Sequence, residues 1–113
     1  DMDRFEEWMK LVVEQGLHKK AYIMAGITPV RSSRALKYMK ANVAGITIPE
    51  ALIERMDAAE DPKEEGVKIA CEMVERVKNM EGVSGLHLMP IGWERITPVI
   101  LEKTGLLPRP EVD

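Results

Sequence analysis

Residues 26–34 read Gly-Ile-Thr-Pro-Val-Arg-Ser-Ser-Arg, the densest cluster of chemistry-bearing side chains in the chain. Thr28, Ser32 and Ser33 bring hydroxyls, Arg31 and Arg34 bring two permanent cations, and Ser32 or Ser33 stands where a helix cap belongs. Hydroxyls and guanidiniums beside the free amides of a helix start suit an anionic or strongly polar group. A plain helix cap flanked by solvated arginines reads the same residues equally well. The other candidates are sparser. Cys71 is the single cysteine, which excludes an internal disulfide and reads as a small buried thiol. Asp57, Glu60 and Asp61 offer carboxylates to a cation, but nothing in their spacing enforces a coordination geometry, and the acidic runs 54–65 and 72–81 read most simply as solvated helix faces. No Walker loop, GxGxxG, HExxH or GxSxG pattern occurs.

The elements around the cluster explain its position. Residues 21–25 form an apolar run without alternation, which predicts a parallel strand covered on both faces in an α/β protein. Gly26 and Pro29 then turn the chain at the carboxyl end of that strand, the edge where α/β folds place their chemistry. A second unit repeats the pattern: strand 85–89, then Pro90, Gly92 and a helix. Loops 26–34 and 89–93 thereby fall on one edge. His18 lies before the first strand and is expected to be exposed. His87 lies inside the second, where a satisfied structural histidine is the simpler reading and a side chain facing a barrel interior the sharper one.

Helices fill the rest. Residues 1–15 carry Asp1 and Asp3 at the start, Gly16 at the stop, and a stripe of Phe5, Trp8, Met9, Val12 and Val13 whose aromatics read as core. A helix from the serines to about 41 turns Leu36 and Met39 inward, and Pro49 opens another over 49–58 with Leu52, Ile53 and Met56 buried. Asp61-Pro62-Lys63-Glu64 predicts a capping box for a helix to about 80, with Val67, Ala70, Cys71, Val74 and Val77 as its stripe. The last helix covers 93–104, with Thr97-Pro98 either in its first turns or at its true start, and Gly105 closes it. The tail 106–113 is expected to be poorly ordered unless docked.

A chain of 113 residues holds one domain at most. Its 45% apolar content and mean hydropathy of -0.18 are those of a globular protein. A net charge of -3 without a Lys/Arg cluster excludes a nucleic-acid footprint. No apolar run reaches the roughly 18 residues that span a bilayer, and no signal-peptide pattern opens the chain, so a cytoplasmic protein without membrane partners is expected. Two neighbouring strands cannot cover the apolar faces of about five helices. With Asp1 in place of an initiating methionine, this predicts the last part of a larger α/β domain.

The strings AGITPVRSSRALKYM and GITIPEALIERMDAAEDPKEEGVKIACEMVERVKNMEGVSGLHLM resemble the carboxyl-terminal part of the methylenetetrahydrofolate reductase family. Ala25-Gly26-Ile27-Thr28-Pro29, Ile48-Pro49, the segment 66–70 and the segment 82–88 with His87 carry the resemblance in the family's order and spacing, over residues 1–106. It implies a (β/α)8 TIM barrel with FAD at the carboxyl ends of its strands. This chain would supply strands seven and eight with their flanking helices, and 107–113 as a tail. The implied reaction is reduction of methylenetetrahydrofolate to methyltetrahydrofolate by hydride from reduced flavin. The family's acidic catalytic residue and most flavin contacts lie on earlier strands. The resemblance therefore implies no catalytic residue here, an FAD held mainly by the missing amino-terminal part, and a segment inactive alone.

Better-known members carry a glutamine and an aromatic residue on the helix after strand seven, near nicotinamide or folate. Ala35 and Met39 stand at the matching positions. After strand eight they carry Tyr-Thr-Leu-Asn-Arg, replaced here by Met89-Pro90-Ile91-Gly92-Trp93, so a standard NADH-stacking site is not expected. The ending resembles anaerobe-type reductases, which can work with a partner subunit and other electron donors. Trp93 offers a flat surface to a pterin or flavin, or begins the core of the last helix. The substrate-side set implied is Thr28, Arg31, Ser32, Ala35, Met39, Met89 and Trp93, forming one wall of a folate pocket without a metal. Implied partners are the folate and the rest of the barrel or a partner subunit, with homo-oligomerisation open. The rival readings are a small non-enzymatic α/β module that docks onto a partner, and a different flavin- or pterin-handling barrel.

Overall fold

Asp1 accepts a hydrogen bond from the Arg4 amide at 3.2 Å and opens helix α1 (Met2–Glu14), and Gly16 at φ +70° ends it. The computed structural model describes residues 1–112; the last residue of the expected tail, Asp113, lies outside the described residues. Met9 and Val12 of α1 are buried and Phe5 is half-buried. Trp8, at the flank of that stripe, is 50% exposed, with its ring 5.9 Å from Phe5, so the expected core role passes to Phe5 alone.

A 3₁₀ turn (Leu17–Lys19) leads to strand β1 (Ile23–Ile27), which pairs in parallel with β2 (Val83–Leu88). Parallel pairing needs a long crossover, and three helices supply it: α2 (Ser33–Asn42), α3 (Glu50–Asp57) and α4 (Pro62–Lys78). After β2 a second 3₁₀ turn (Glu94–Ile96) precedes α5 (Thr97–Lys103), so Thr97 is the true start of the last α-helix.

Both strands are displaced from their predicted ranges. β1 begins and ends two residues later, because Gly26 and Ile27 pair with His87 and Leu88 instead of turning. β2 begins at Val83, opposite Ile23, and the ladder takes one irregular step there, where the Ser84 hydroxyl accepts a hydrogen bond from the Ile23 amide at 3.2 Å. Coverage on both faces is also corrected. Ala25 and Ile27, with Leu86 and Leu88 beside them, face the core, whereas Met24, at 57% exposure, Gly26 and His87 are exposed on the opposite face. Burial alternates because α4 packs on one side of the sheet and the other side is left open.

Two clusters make the core. One joins Ala25 and Ile27 to Val67, Ala70, Val74 and Val77 of α4, with Trp93 and Ile100. The second joins Leu36, Ile48, Ile53, Met56 and Ile69, so α4 serves both. Pro62 occupies the first turn of α4, and the Asp61 carboxylate accepts from the Lys63 and Glu64 amides at 3.0 and 3.2 Å. The reciprocal half of the predicted capping box is not made; Glu64 pairs with Lys68 at 3.7 Å. Three smaller expectations change. Pro49 is the N-cap of α3 and not its first turn. His18 is half-buried, with an Nδ1 that has no partner among the described residues, because Gly82 lets the chain close against it. Cys71 is half-buried, and burial raises its thiol above the ordinary range.

Candidate functional site

Where β1 ends at Ile27, the chain turns over the carboxyl edge of the sheet, and its path there is set by close packing from beneath. A Cβ on Gly66 of α4 would overlap the Val30 carbonyl oxygen and come within 3.5 Å of the Arg31 Cα. The glycine thus lets the helix run directly under the loop. The Ser32 hydroxyl then accepts from the Ala35 amide at 3.2 Å and caps α2, and Ser33 is the first helical residue. Lys37 Nζ lies 2.8 Å from Asp57 on α3. Lys37, and after it a hydrogen bond from Ser33, hold the Asp57 carboxyl below its usual range.

The opposite wall comes from the loop after β2. The Trp93 amide donates to the Pro90 carbonyl at 2.8 Å, and the Gly92 amide, at φ +69°, donates to a Glu94 carboxylate oxygen at 2.9 Å. This turn buries Trp93, 5% exposed, in the core and leaves Ile91 83% exposed at the rim. Between the two loops lies an open cavity of 450 Å3. Thr28, Arg31, Ser32, Ala35, Met39 and an edge of Trp93 all line it.

Six of the seven residues singled out in the sequence are therefore brought together. Met89 is not among the lining residues; its methyl group lies over Gly26, 2.8 Å from where a Cβ would stand. Arg34, Tyr38 and Ile91 also line the cavity. Tyr38 was legible, since it follows Arg34 by four residues and Ala35 by three and so shares their helix face. Ile91 carried no sequence signal beyond its place in the loop.

The electrostatics are one-sided. Lys37 and Lys40 of α2 are neutralised by Asp57 and Glu50. Arg31 and Arg34 have no ion-pair partner among the described residues, and no carboxylate lines the cavity. The cavity is thus cationic at its mouth in a chain of net charge -3. The carboxylates considered for a cation are dispersed, Asp57 on Lys37 and Asp61 on the α4 cap. Among the described residues no three His, Cys, Asp or Glu side chains gather to hold a metal, and no helix is long and apolar enough to cross a membrane. A flavin is not fitted by these residues alone. A pyrophosphate is commonly held by a nest of free amides in a glycine-rich loop; among the described residues no glycine lines this cavity, and the Ala35 amide is already taken by Ser32.

Comparison with known proteins gives the family of the chain. Residues 1–105 match the family described as methylenetetrahydrofolate reductase. The chain is 32% identical over 91 residues to methylenetetrahydrofolate reductase 2 of Schizosaccharomyces pombe, covering 75% of this chain and 14% of that protein. It is 29% identical over 112 residues to methylenetetrahydrofolate reductase 2 of Saccharomyces cerevisiae, covering 96% of this chain and 18% of that protein. The chain therefore spans less than a fifth of the length of these curated relatives. No solved structure matches it. A match that runs from the N-cap of α1 to the glycine after α5, and takes in both strands and both cavity loops, makes the chain a member of the methylenetetrahydrofolate reductase family.

Proposed function

We propose that this chain is the carboxyl-terminal segment of a (β/α)8 reductase barrel, supplying strands seven and eight and one wall of the folate pocket. The observation that carries the reading is the 450 Å3 cavity on which Thr28, Arg31, Ser32, Ala35, Met39 and Trp93 converge at the carboxyl edge of two parallel strands. In barrels of this kind the carboxyl edge holds the chemistry, helices cover the outer side of each strand, and the inner side faces the barrel interior. The one-sided sheet, with α4 behind Ala25 and Ile27 and with Met24, Gly26 and His87 bare, fits two staves of such a barrel. Met89, over Gly26, would then face the interior and not the folate wall.

The whole enzyme would be a cytoplasmic oxidoreductase that reduces methylenetetrahydrofolate to methyltetrahydrofolate, with FAD held mainly by the other strands and supplying the hydride. This chain's part is binding: the two loops orient the folate, and Trp93 closes the floor. The test joins this chain to the remaining strands of its barrel and measures methylenetetrahydrofolate reduction with NADH and with a low-potential donor. Activity of the complete barrel and none of the chain alone is expected. Stoichiometric FAD binding and turnover by the chain alone would overturn the proposal. The same bare face also favours a second reading, a non-enzymatic module that docks onto a partner subunit; a complete barrel without activity would favour that reading.

A further inference from the structure

The two cations at the cavity mouth are placed against the interest of the helix that bears them. Arg34 lies in the first turn of α2, where the helix dipole favours carboxylates and disfavours positive charge, and that turn has no acidic residue. Farther along α2, Lys37 and Lys40 each have an acidic partner on α3. Arg31 and Arg34 have none among the described residues, although the chain carries more carboxylates than cations. Capping does not need them, because Ser32 performs it. Both arginines line the cavity together with Tyr38, Trp93, Val30 and Ile91. Such a site takes a ligand with a flat, apolar body that ends in more than one negative group.

Resting on the reading of this cavity as a folate wall, we infer that Arg31 and Arg34 hold the carboxylate-bearing glutamyl arm of the folate. Two guanidiniums three residues apart, each able to grip a carboxylate with two parallel N–H donors, reward an arm with two carboxylates over one without any. No bond is made or broken in this step; it selects and orients the substrate.

The test uses the complete barrel containing this chain, with Arg31→Gln, Arg34→Gln and the double substitution. Calorimetric titrations compare a full folate, a pterin head without the arm, p-aminobenzoylglutamate as the arm alone, and glutarate as a free di-acid, each at low and high salt. In the double variant the folate and the isolated arm are expected to lose at least tenfold in affinity while the pterin head is unchanged. The unsubstituted protein should lose affinity for the arm as salt rises. Under turnover, KM for the folate should rise at least tenfold with kcat within twofold. Arg34→Gln should not lower the melting temperature, which separates recognition from a structural role. Equal folate affinity in the double variant and the unsubstituted protein overturns the inference, and so does glutarate bound as tightly as the arm. If the barrel binds neither folate nor pterin, the folate-wall reading itself fails. The arm titration then decides separately: arm binding lost in the double variant sustains the arginine site, and no arm binding overturns it.

Discussion

Gly66 sits in mid-helix, so its missing side chain matters for distance and not for conformation. Alanine there would gain about 1 kcal/mol of helix propensity. Its Cβ would also be driven onto the Val30 carbonyl, a backbone atom that cannot rotate aside. Overpacking of that kind costs about 1–3 kcal/mol, so after the propensity gain Gly66→Ala should lose up to about 2 kcal/mol in urea unfolding; a gain would show that the loop is not held from beneath. Arg55 ties α3 to α4, with its Nη1 and Nη2 at 2.6 and 2.8 Å from the Glu72 carboxylate and its Nε on Glu65. That pairing lowers the Glu72 carboxyl from its ordinary value of 4.5. A lowered folded value means that the fold favours the ionised form. The contribution is therefore complete above the ordinary value and lost as pH falls through the lowered one. For a half-exposed pair it amounts to about 0.2–1 kcal/mol. Arg55→Gln should thus destabilise at pH 7, and the difference from the unsubstituted protein should shrink at pH 3 in parallel urea titrations.

Among the helices, α4 has the greatest reach, since its buried residues enter both clusters. Removing its cap by Asp61→Ala should lower the stability of the whole chain by about 1 kcal/mol, while Asp61→Asn, an equally good cap, should stay within a few tenths. A loss confined to helical circular dichroism without a shift in the unfolding midpoint would contradict that. Helices were the legible part of the sequence because periodicity and caps are local signals: Asp61 caps α4 as its type and position predict, and of the two serines offered for α2 it is Ser32 that caps. Strand limits were less legible. Gly26 reads as a stop, yet parallel pairing with His87, which lies far along the chain, keeps it in the ladder. The open sheet face was hidden for a similar reason, since Met24 and Ala25 are both apolar and only tertiary packing tells them apart. At the cavity, the positions came from loop placement and from the family resemblance. The split between Trp93, which is core, and Ile91, which is rim, depends on the turn around Gly92 and is invisible in composition.

For the molecule as a whole, the two sheet faces predict opposite responses to charge. Met24→Lys on the open face should change the stability of this chain by less than about 0.5 kcal/mol, as surface substitutions do. Ala25→Lys, which replaces a side chain only 3% exposed, should prevent folding. Both are read by circular dichroism and urea titration. In a complete barrel Met24→Lys should become damaging as well, since its side chain would then point into the packed interior; tolerance there would show that the face stays bare. The parallel pairing also has a kinetic consequence. Ile23 meets Ser84 across 61 positions of chain. At about 5–20 residues per second of synthesis, β1 leaves the ribosome several seconds before its partner strand exists. During that interval Ile23, Met24 and Ile27 belong to an apolar segment with no ladder to join. Newly made chain is therefore expected to be most exposed to wrong association between the appearance of β1 and that of β2.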